Sequence, residues 1–278
     1  MKDLMNSERI DVLRRRTINV TTGCCVVLMQ LSVFGPTFAS EHEITESTDE
    51  YSSIQDANAE STSGEGDLAT DDVEYLTQLG LLRGHLTVGL ELYRRSLPKM
   101  AETHMKHPDA ELYADLVPAF KSRGCRAFAG ELTDLARVVS ERSSLEDVAS
   151  KYELLGAAIH RCELMAQNEN PEVVAQVTMN LLRDALSEYE IGVADGAIEN
   201  VHEFQDAWGF TQVAENYARS NAFQTDAENR LIAQRIQRLV GSLESLWPSL
   251  NPTSIDDPEV PRLLDQLRSY LNPAAQLR

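Results

Sequence analysis

The chain has 278 residues, and 44 Asp and Glu against 25 Lys and Arg give it a formal net charge of −19. Nucleic acids and anionic membrane surfaces are bound by basic faces, so this balance argues against both as partners. Hydrophobic residues make up 42% of the chain, enough for a core that needs no structural metal. Leu, Ala and Glu predominate and alternating Val/Ile runs are scarce, which predicts an all-α protein.

Residues 1–39 have the order of a secretory signal peptide. Three arginines at positions 14–16 precede an apolar stretch that Pro36 interrupts. This stretch is shorter than the roughly 20 apolar residues of a membrane span. Small residues before the end of the segment predict cleavage near Ala39. We therefore expect a periplasmic or secreted protein, with an uncleaved N-terminal anchor as the alternative.

The next segment, residues 40–70, contains nine acidic residues and no basic residue. It has too few large apolar side chains to offset the entropy of ordering, which predicts a disordered acidic linker. A metal-buffering acidic tail is the alternative. Without the signal peptide and the linker, a net charge of about −12 is left on the remaining chain.

Residues 71–250 follow a helical pattern, and their short connections predict an antiparallel helical bundle domain. The first helix is apolar on nearly every side and is therefore expected at the bundle centre. Pro108 is expected at the first turn of a helix, Ser144 and Asp147 form a capping box, and Asn170 precedes Pro171 at a helix start. The predicted helices are 72–96, 98–105, 108–124, 125–142, 144–168, 171–196, 198–220 and 225–247, the last two nearly continuous. Residues 251–278 are expected to be a Pro-rich C-terminal tail with one short helix at 259–271.

Two of the four cysteines lie in the predicted signal peptide, which leaves Cys125 and Cys162. Each lies 18 residues from the predicted turn at Ser143 and Ser144, so an antiparallel hairpin places both at the same level. Export to an oxidising compartment then predicts a Cys125–Cys162 disulfide. Two unrelated buried thiols are the alternative.

Three histidines could converge between the first helices of the bundle. His85 lies on the apolar stripe of the first helix, and His104 and His107 surround the start of a later one. Imidazole is a ligand of Fe, Cu and Zn, and Glu111 could add an oxygen or simply favour a helix N-terminus. Nearby methionines leave a Cu(I) site open, and haem ligation by His85 or a plain core histidine are further alternatives.

Three carboxylates break the apolar pattern of two later helices. Glu188 occupies a core position on the helix that starts at Pro171, and Glu203 and Asp206 share a face of the next helix. Carboxylates that enter a bundle core from facing helices build metal sites. A buried carboxylate needs a cation, a partner or a proton, so an ion pair with Arg83 or Arg183 is the alternative to a metal.

The sequence contains no Gly-rich phosphate loop, Gly-x-Ser-x-Gly, Cys-x-x-Cys or His-Glu-x-x-His motif. Catalysis therefore has no specific support, and we expect a protein without enzymatic activity. A di-metal oxidase or a metallopeptidase would require Glu188, Glu203 and a histidine around one point. His202 is interpreted as a surface residue.

The stretch from Glu188 through Gly196 to Glu203, Asp206 and Phe210 is similar to the extracytoplasmic helical part of high-affinity iron permeases. It also resembles imelysin-like iron-uptake proteins. Residues 75–92 and 104–113 resemble exported helical bacterial proteins. The resemblance implies an α-helical periplasmic domain that handles iron or another metal.

These observations together predict an exported, non-catalytic helical metal-binding protein that serves iron uptake. Iron is the expected metal, with copper or zinc as alternatives, and a membrane permease or another envelope protein is the expected partner. A helical scaffold or adaptor that docks an envelope partner without metal is the alternative. The predicted ligands are His85, His104, His107, Glu111, Glu188, Glu203 and Asp206.

Overall fold

The computed structural model describes residues 67–272, apart from the side chains of residues 107–111 and 244. Three parts of the chain lie outside the described residues: the predicted signal peptide with its cleavage near Ala39, nearly all of the predicted acidic linker, and residues 273–278. Within the described range the protein is a bundle of nine α-helices, which confirms the all-α prediction for this part of the chain. The helices are α1 (Asp72–Arg94), α2 (Pro98–Glu111), α3 (Tyr113–Arg123), α4 (Ala129–Ser140), α5 (Leu145–Glu163), α6 (Pro171–Gly192), α7 (Val201–Ala218), α8 (Ala227–Ser242) and α9 (Val260–Leu271).

None of the helices between residues 67 and 272 is both long and apolar enough to cross a membrane.

Helix α1 lies at the centre of the bundle and packs against α2, α5, α6 and α7. The Asp71 side chain caps its N-terminus by accepting hydrogen bonds from the amides of Val73 and Glu74. Leucines on several sides of α1 are buried against neighbouring helices, whereas Gln78, Thr87 and Glu91 are only partly buried. The expectation of a central first helix is thus confirmed.

The crossing of α1 and α7 is unusually close because glycine occupies both sides of it. A Cβ atom on Gly209 would overlap the carbonyl of Gly84, and a Cβ atom on Gly84 would overlap the ring of Phe210. The backbones can therefore approach only without these side chains. This contact sets the axial register of α1 against α7, the two helices that carry His85 and Asp206.

The prediction that Pro108 opens a new helix is wrong. Helix α2 runs through position 108 to Glu111, and α3 starts only at Tyr113. Proline at position 108 lacks the N–H that would bond the carbonyl of residue 104, and the helix ends within one turn after it. Ala101, His104 and Met105 form the buried stripe of α2, with the spacing of one helical face.

Helices α4 and α5 form the predicted hairpin. Ser144 caps α5 by accepting a hydrogen bond from the amide of Asp147 at 3.1 Å. Cys125 and Cys162 form a disulfide with a Cα–Cα distance of 5.3 Å, which confirms the predicted pairing. Cys125 precedes α4 instead of lying on it, because α4 is shorter than the sequence pattern indicated.

Helices α6 and α7 are joined by a small hairpin of strands β1 (Val193–Ala194) and β2 (Ala197–Ile198). Its turn contains Gly196 at φ 78°, a left-handed conformation that favours glycine. Because this hairpin follows directly, α6 ends at Gly192 and not near Gly196 as predicted. At the start of α6, Asn170 accepts a hydrogen bond from the amide of Glu172, as the sequence predicted.

The C-terminal part of the described chain also packs on the bundle. A 3-10 turn at Asn221–Gln224 separates α7 from α8, so the two helices are not nearly continuous as expected. Helix α9 packs against α6 and buries Leu263, Leu267 and Leu271, which are spaced four residues apart along one face. Its range agrees with the predicted short helix at 259–271.

Candidate metal centre

The carboxylate of Asp206 lies in the middle of three imidazole rings. Its Oδ1 is 2.6 Å from Nδ1 of His85 and 3.0 Å from Nδ1 of His104, and its Oδ2 is 3.2 Å from Nδ1 of His202. His85 comes from α1, His104 from α2, and His202 and Asp206 from α7. Three helices thus converge on one carboxylate.

Local structure at the start of α7 places His202 toward this carboxylate. Asn200 caps the helix by accepting hydrogen bonds from the amides of His202 at 3.1 Å and Glu203 at 3.4 Å. His202 and Asp206 are then four residues apart, so their side chains share one face of the helix. The ring of His202 stacks on that of His104 with a centroid distance of 4.1 Å and an interplanar angle of 2°.

The buried ring of His104 is held in one tautomer by Gln205. The amide nitrogen Nε2 of Gln205 donates to the carbonyl oxygen of Leu250 at 2.8 Å, and this carbonyl can only accept. The amide oxygen Oε1 of Gln205 therefore faces His104, whose Nε2 lies 2.8 Å away and must carry the proton. In a neutral His104 ring, Nδ1 then has no proton.

The unprotonated Nδ1 of a neutral His104 points its lone pair at Oδ1 of Asp206. Because both atoms are hydrogen-bond acceptors, the contact needs a cation or a proton between them. Burial lowers the pKa of His104 more than the Asp206 carboxylate raises it, which disfavours a second proton on the ring. Burial alone would raise the pKa of Asp206, but His85 and His104 outweigh it and hold this pKa well below its usual value. The carboxylate of Asp206 and the imidazole nitrogens around it are a donor set for a metal cation.

A pair of carboxyl groups lies beside the histidines. Glu188 on α6 is 4% exposed, and burial together with its hydrogen bond to Glu203 raises its pKa to about 12. Glu188 is therefore the protonated member of the pair and donates a hydrogen bond to Glu203. Burial would raise the pKa of Glu203, but its hydrogen bonds with His202 and Glu188 lower it below the usual value. Glu203 is thus the ionised member of the pair.

Two overlapping groups of three residues could hold a metal ion, and both include Asp206. The inner trio is His85, His104 and Asp206, which are all buried. The outer trio is His202, Glu203 and Asp206, of which only Asp206 is fully buried. In each trio one ligand atom per residue lies within 4.8 Å of the others. Imidazole and carboxylate donors suit iron, zinc and copper.

The structure brings most of the predicted ligands together. His85, His104, Glu203 and Asp206 belong to the two trios, and Glu188 contacts Glu203. His107 and Glu111 lie in the last turns of α2, but their side chains fall outside the described residues, so their role stays a prediction.

The alternative that Arg83 or Arg183 forms an ion pair with the carboxylates in the bundle core is wrong. Arg83 pairs with Glu163, with 2.6 Å between its Nε and Oε1 of that residue. Arg183 donates to Oδ1 of Asn180 at 2.7 Å. The sequence pattern could not identify these partners, because they depend on which helices are neighbours.

Two residues of the centre were not predicted from the sequence. The sequence pattern predicts a surface position for His202, whereas its side chain is only 20% exposed and contacts Asp206. Its spacing of four residues from Asp206 was a usable indication. The sequence pattern does not indicate Gln205, because the direction of its contact with His104 depends on Leu250, which is 45 residues away in the chain.

Comparison with known families matches residues 165–277 to the iron permease-associated 4-helix bundle domain. This confirms the resemblance that residues 188–210 indicated. The matched segment spans α6 to α9, so it supplies His202, Glu203 and Asp206, whereas His85 and His104 come from the helices before it. Neither the curated proteins nor the solved structures gave a match to the chain.

Proposed function

We propose, from the iron permease-associated 4-helix bundle domain at residues 165–277, that this protein is an exported, non-catalytic iron-binding protein that serves iron uptake. Iron is its cargo and is held between α1, α2 and α7. The inner trio of His85, His104 and Asp206 is the holding site. The expected recipient or source of the ion is a membrane permease or another envelope protein.

The contact between His104 and Asp206 carries this proposal. Gln205 places the ring proton on Nε2 of His104, so Nδ1 meets the Asp206 carboxylate at 3.0 Å with a lone pair. Burial of both side chains raises the cost of leaving this charge and these lone pairs without a cation. A metal ion between the two residues satisfies both at once.

Donor chemistry and the family description favour iron over copper. The inner trio offers two imidazoles and one carboxylate, whereas Cu(I) prefers thiolate and thioether ligands. The nearby thioether of Met100 accepts a hydrogen bond from Nε2 of Gln205 at 3.7 Å. Zinc shares the preference for imidazole and is the competitor to be measured.

The Cys125–Cys162 disulfide supports an extracytoplasmic location, because structural disulfides persist in oxidising compartments. A signal peptide at residues 1–39 would deliver the protein there. The acidic linker at residues 40–70 would separate the bundle at 71–250, with its tail at 251–278, from any uncleaved anchor. This division of the chain is part of the proposal.

Metal binding tests the proposal directly. The purified full chain is stripped with a chelator, loaded with Fe²⁺ without oxygen and in competition with Zn²⁺, and analysed for bound metal. We expect about one equivalent of iron, lost in His104→Ala and retained in the control His160→Ala, whose ring faces Glu163 on α5. Absence of bound metal, together with a stability that chelation leaves unchanged, would falsify iron binding and favour a metal-free adaptor.

A further inference from the structure

The two oxygens of the Asp206 carboxylate face different sets of ligands. Oδ1 contacts Nδ1 of His85 at 2.6 Å and Nδ1 of His104 at 3.0 Å. Oδ2 contacts Nδ1 of His202 at 3.2 Å, and Oε2 of Glu203 is 3.6 Å from the same nitrogen. One carboxylate is therefore shared by two possible ion positions, one on each of its oxygens.

The two positions differ in their access to solvent. The side chains of the inner trio are 0% to 6% exposed, whereas those of His202 and Glu203 are 20% and 30% exposed. A hydrated ion arriving from solvent can thus meet His202 and Glu203 first. The negative charge of Glu203 also attracts a cation toward this side of the centre.

The step between the two positions is short. The rings of His104 and His202 stack in parallel with centroids 4.1 Å apart, and each ring directs its Nδ1 at a different oxygen of Asp206. An ion that moves from one oxygen of Asp206 to the other stays bound to this carboxylate throughout. It exchanges His202 and Glu203 for His85 and His104 without a change of oxidation state.

The charges favour one ion at a time over a pair of ions. Two divalent cations carry four positive charges, whereas Glu188, Glu203 and Asp206 carry at most three negative charges. A buried excess of positive charge is unfavourable. Paired-metal sites in helical bundles use four carboxylates in addition to histidines. The centre therefore fits a single ion that occupies the two positions in turn.

We infer that the outer trio of His202, Glu203 and Asp206 is a receiving site, from which a divalent iron ion crosses the Asp206 carboxylate to the inner trio. The inference rests on the proposed function, since it presupposes that the centre binds iron. It assigns different tasks to the two trios. The inner trio sets the affinity, and the outer trio sets the rates of uptake and release.

Rates and affinity are measured separately with the full chain and Fe²⁺ without oxygen. Stopped-flow mixing gives the association rate, and transfer to a competing chelator gives the dissociation rate. His202→Ala and Glu203→Gln alter the outer trio, His104→Ala alters the inner trio, and His160→Ala on α5 is the matched control. Circular dichroism and thermal unfolding establish that each variant is folded.

We expect His202→Ala to slow both association and dissociation of Fe²⁺ about tenfold. A tenfold change corresponds to a loss of about 1.4 kcal/mol of binding energy at the receiving position. Because both rates fall together, the equilibrium affinity stays the same. Glu203→Gln slows association by at least about tenfold, because it also removes the attracting charge. His104→Ala lowers the equilibrium affinity about 100-fold or more. Loss of a group that only orients a metal ligand costs about 10–100-fold, and loss of the ligand itself should cost at least as much.

Three outcomes would overturn the inference. If His202→Ala lowers the equilibrium affinity as much as His104→Ala with an unchanged association rate, His202 is an ordinary ligand of a single site. If the wild type binds two Fe²⁺ ions at saturation, the centre is a metal pair and not a relay. In both cases iron binding itself stands. If the wild type binds no Fe²⁺, the proposed function fails and the inference fails with it.

Discussion

Gln205 decides which nitrogen of His104 faces Asp206. The side chain of Gln205 bridges the carbonyl of Leu250 and Nε2 of His104, with a distance of 2.8 Å on each side. Since a carbonyl cannot donate, the bridge has one direction, and Nδ1 of His104 is left to the carboxylate. The loop that contains Leu250 thereby influences the candidate metal centre formed by α1, α2 and α7.

Removal of this bridge is expected to weaken metal binding without removing a ligand. In Gln205→Leu, the His104 ring can place its proton on Nδ1, which then donates to Asp206 and blocks the ion. Loss of such an orienting group typically costs about 10–100-fold in metal affinity. Isothermal titration with Fe²⁺ measures the change, and Gln176→Leu on the exposed face of α6 serves as the control. An unchanged affinity in Gln205→Leu would contradict the tautomer argument.

The close crossing of α1 and α7 predicts a large stability loss for a single added methyl group. Gly209→Ala would push its Cβ into the Gly84 carbonyl, and backbone atoms cannot move aside as a flexible side chain can. We expect a destabilisation of about 1–3 kcal/mol or more, as for overpacking in a tight core. Urea unfolding followed by circular dichroism measures it.

The control for Gly209→Ala is Gly130→Ala on α4. No atom lies within 4 Å of a Cβ added at Gly130. Alanine there should leave the free energy of unfolding unchanged or raise it by about 0.4–1 kcal/mol, because it restricts the unfolded chain. Equal effects of the two substitutions would show that the crossing is looser than described.

Glu188→Gln is expected to be nearly neutral for stability, although Glu188 is buried. Burial and the hydrogen bond to Glu203 raise the pKa of Glu188 to about 12, so the native side chain is protonated and donates to Glu203. A glutamine amide has the same shape and can donate in the same direction. We expect a change in unfolding free energy within about 1 kcal/mol, the size of one typical hydrogen bond.

Glu188→Leu is the informative companion to this substitution. It fills similar volume but removes the donor, so Glu203 loses a bond that lowers its pKa. A stability loss for Glu188→Leu but not for Glu188→Gln indicates the protonated pair. A large loss in Glu188→Gln would instead indicate an ionised Glu188.

The ion pair between Arg83 and Glu163 predicts a pH dependence of stability that does not involve the metal centre. Burial raises the pKa of Glu163, but the charge and hydrogen bonds of Arg83 outweigh it, so this pKa is lowered in the folded protein. The unfolded carboxyl group has a pKa of about 4.3. Its contribution to stability is therefore fully present above that pH and is lost as the pH falls through the lower folded pKa.

Glu163→Gln measures this contribution. Near pH 7 we expect a destabilisation of about 3–5 kcal/mol, because the substitution leaves the largely buried Arg83 without its counter-charge. The difference between wild type and variant should shrink as the pH is lowered below 4. Glu190→Gln, which breaks an exposed pair with Arg268, should cost less than about 1 kcal/mol at any pH. A constant difference across the pH range would contradict the assigned pKa shift.

The sequence alone was sufficient for features that depend on neighbours a few residues apart. The cap at Ser144, the helix start at Asn170 and the short helix at 259–271 follow from patterns within a few helical turns. The Cys125–Cys162 pairing was also predictable, because a short turn forces two adjacent helices to run back along each other. The apolar periodicity likewise marked Glu188 and Asp206 as residues that need a partner.

Only the tertiary structure decided which partners they have. Asp206 meets His104 across 102 residues of chain, Glu188 meets Glu203 across a hairpin, and Arg83 turns to Glu163 instead of either carboxylate. Helical periodicity fixes the direction of a side chain around its own axis but not the neighbouring helix or the axial register. In this protein the register of α1 against α7 depends on the contact of Gly84 with Gly209, and that contact brings His85 to Asp206.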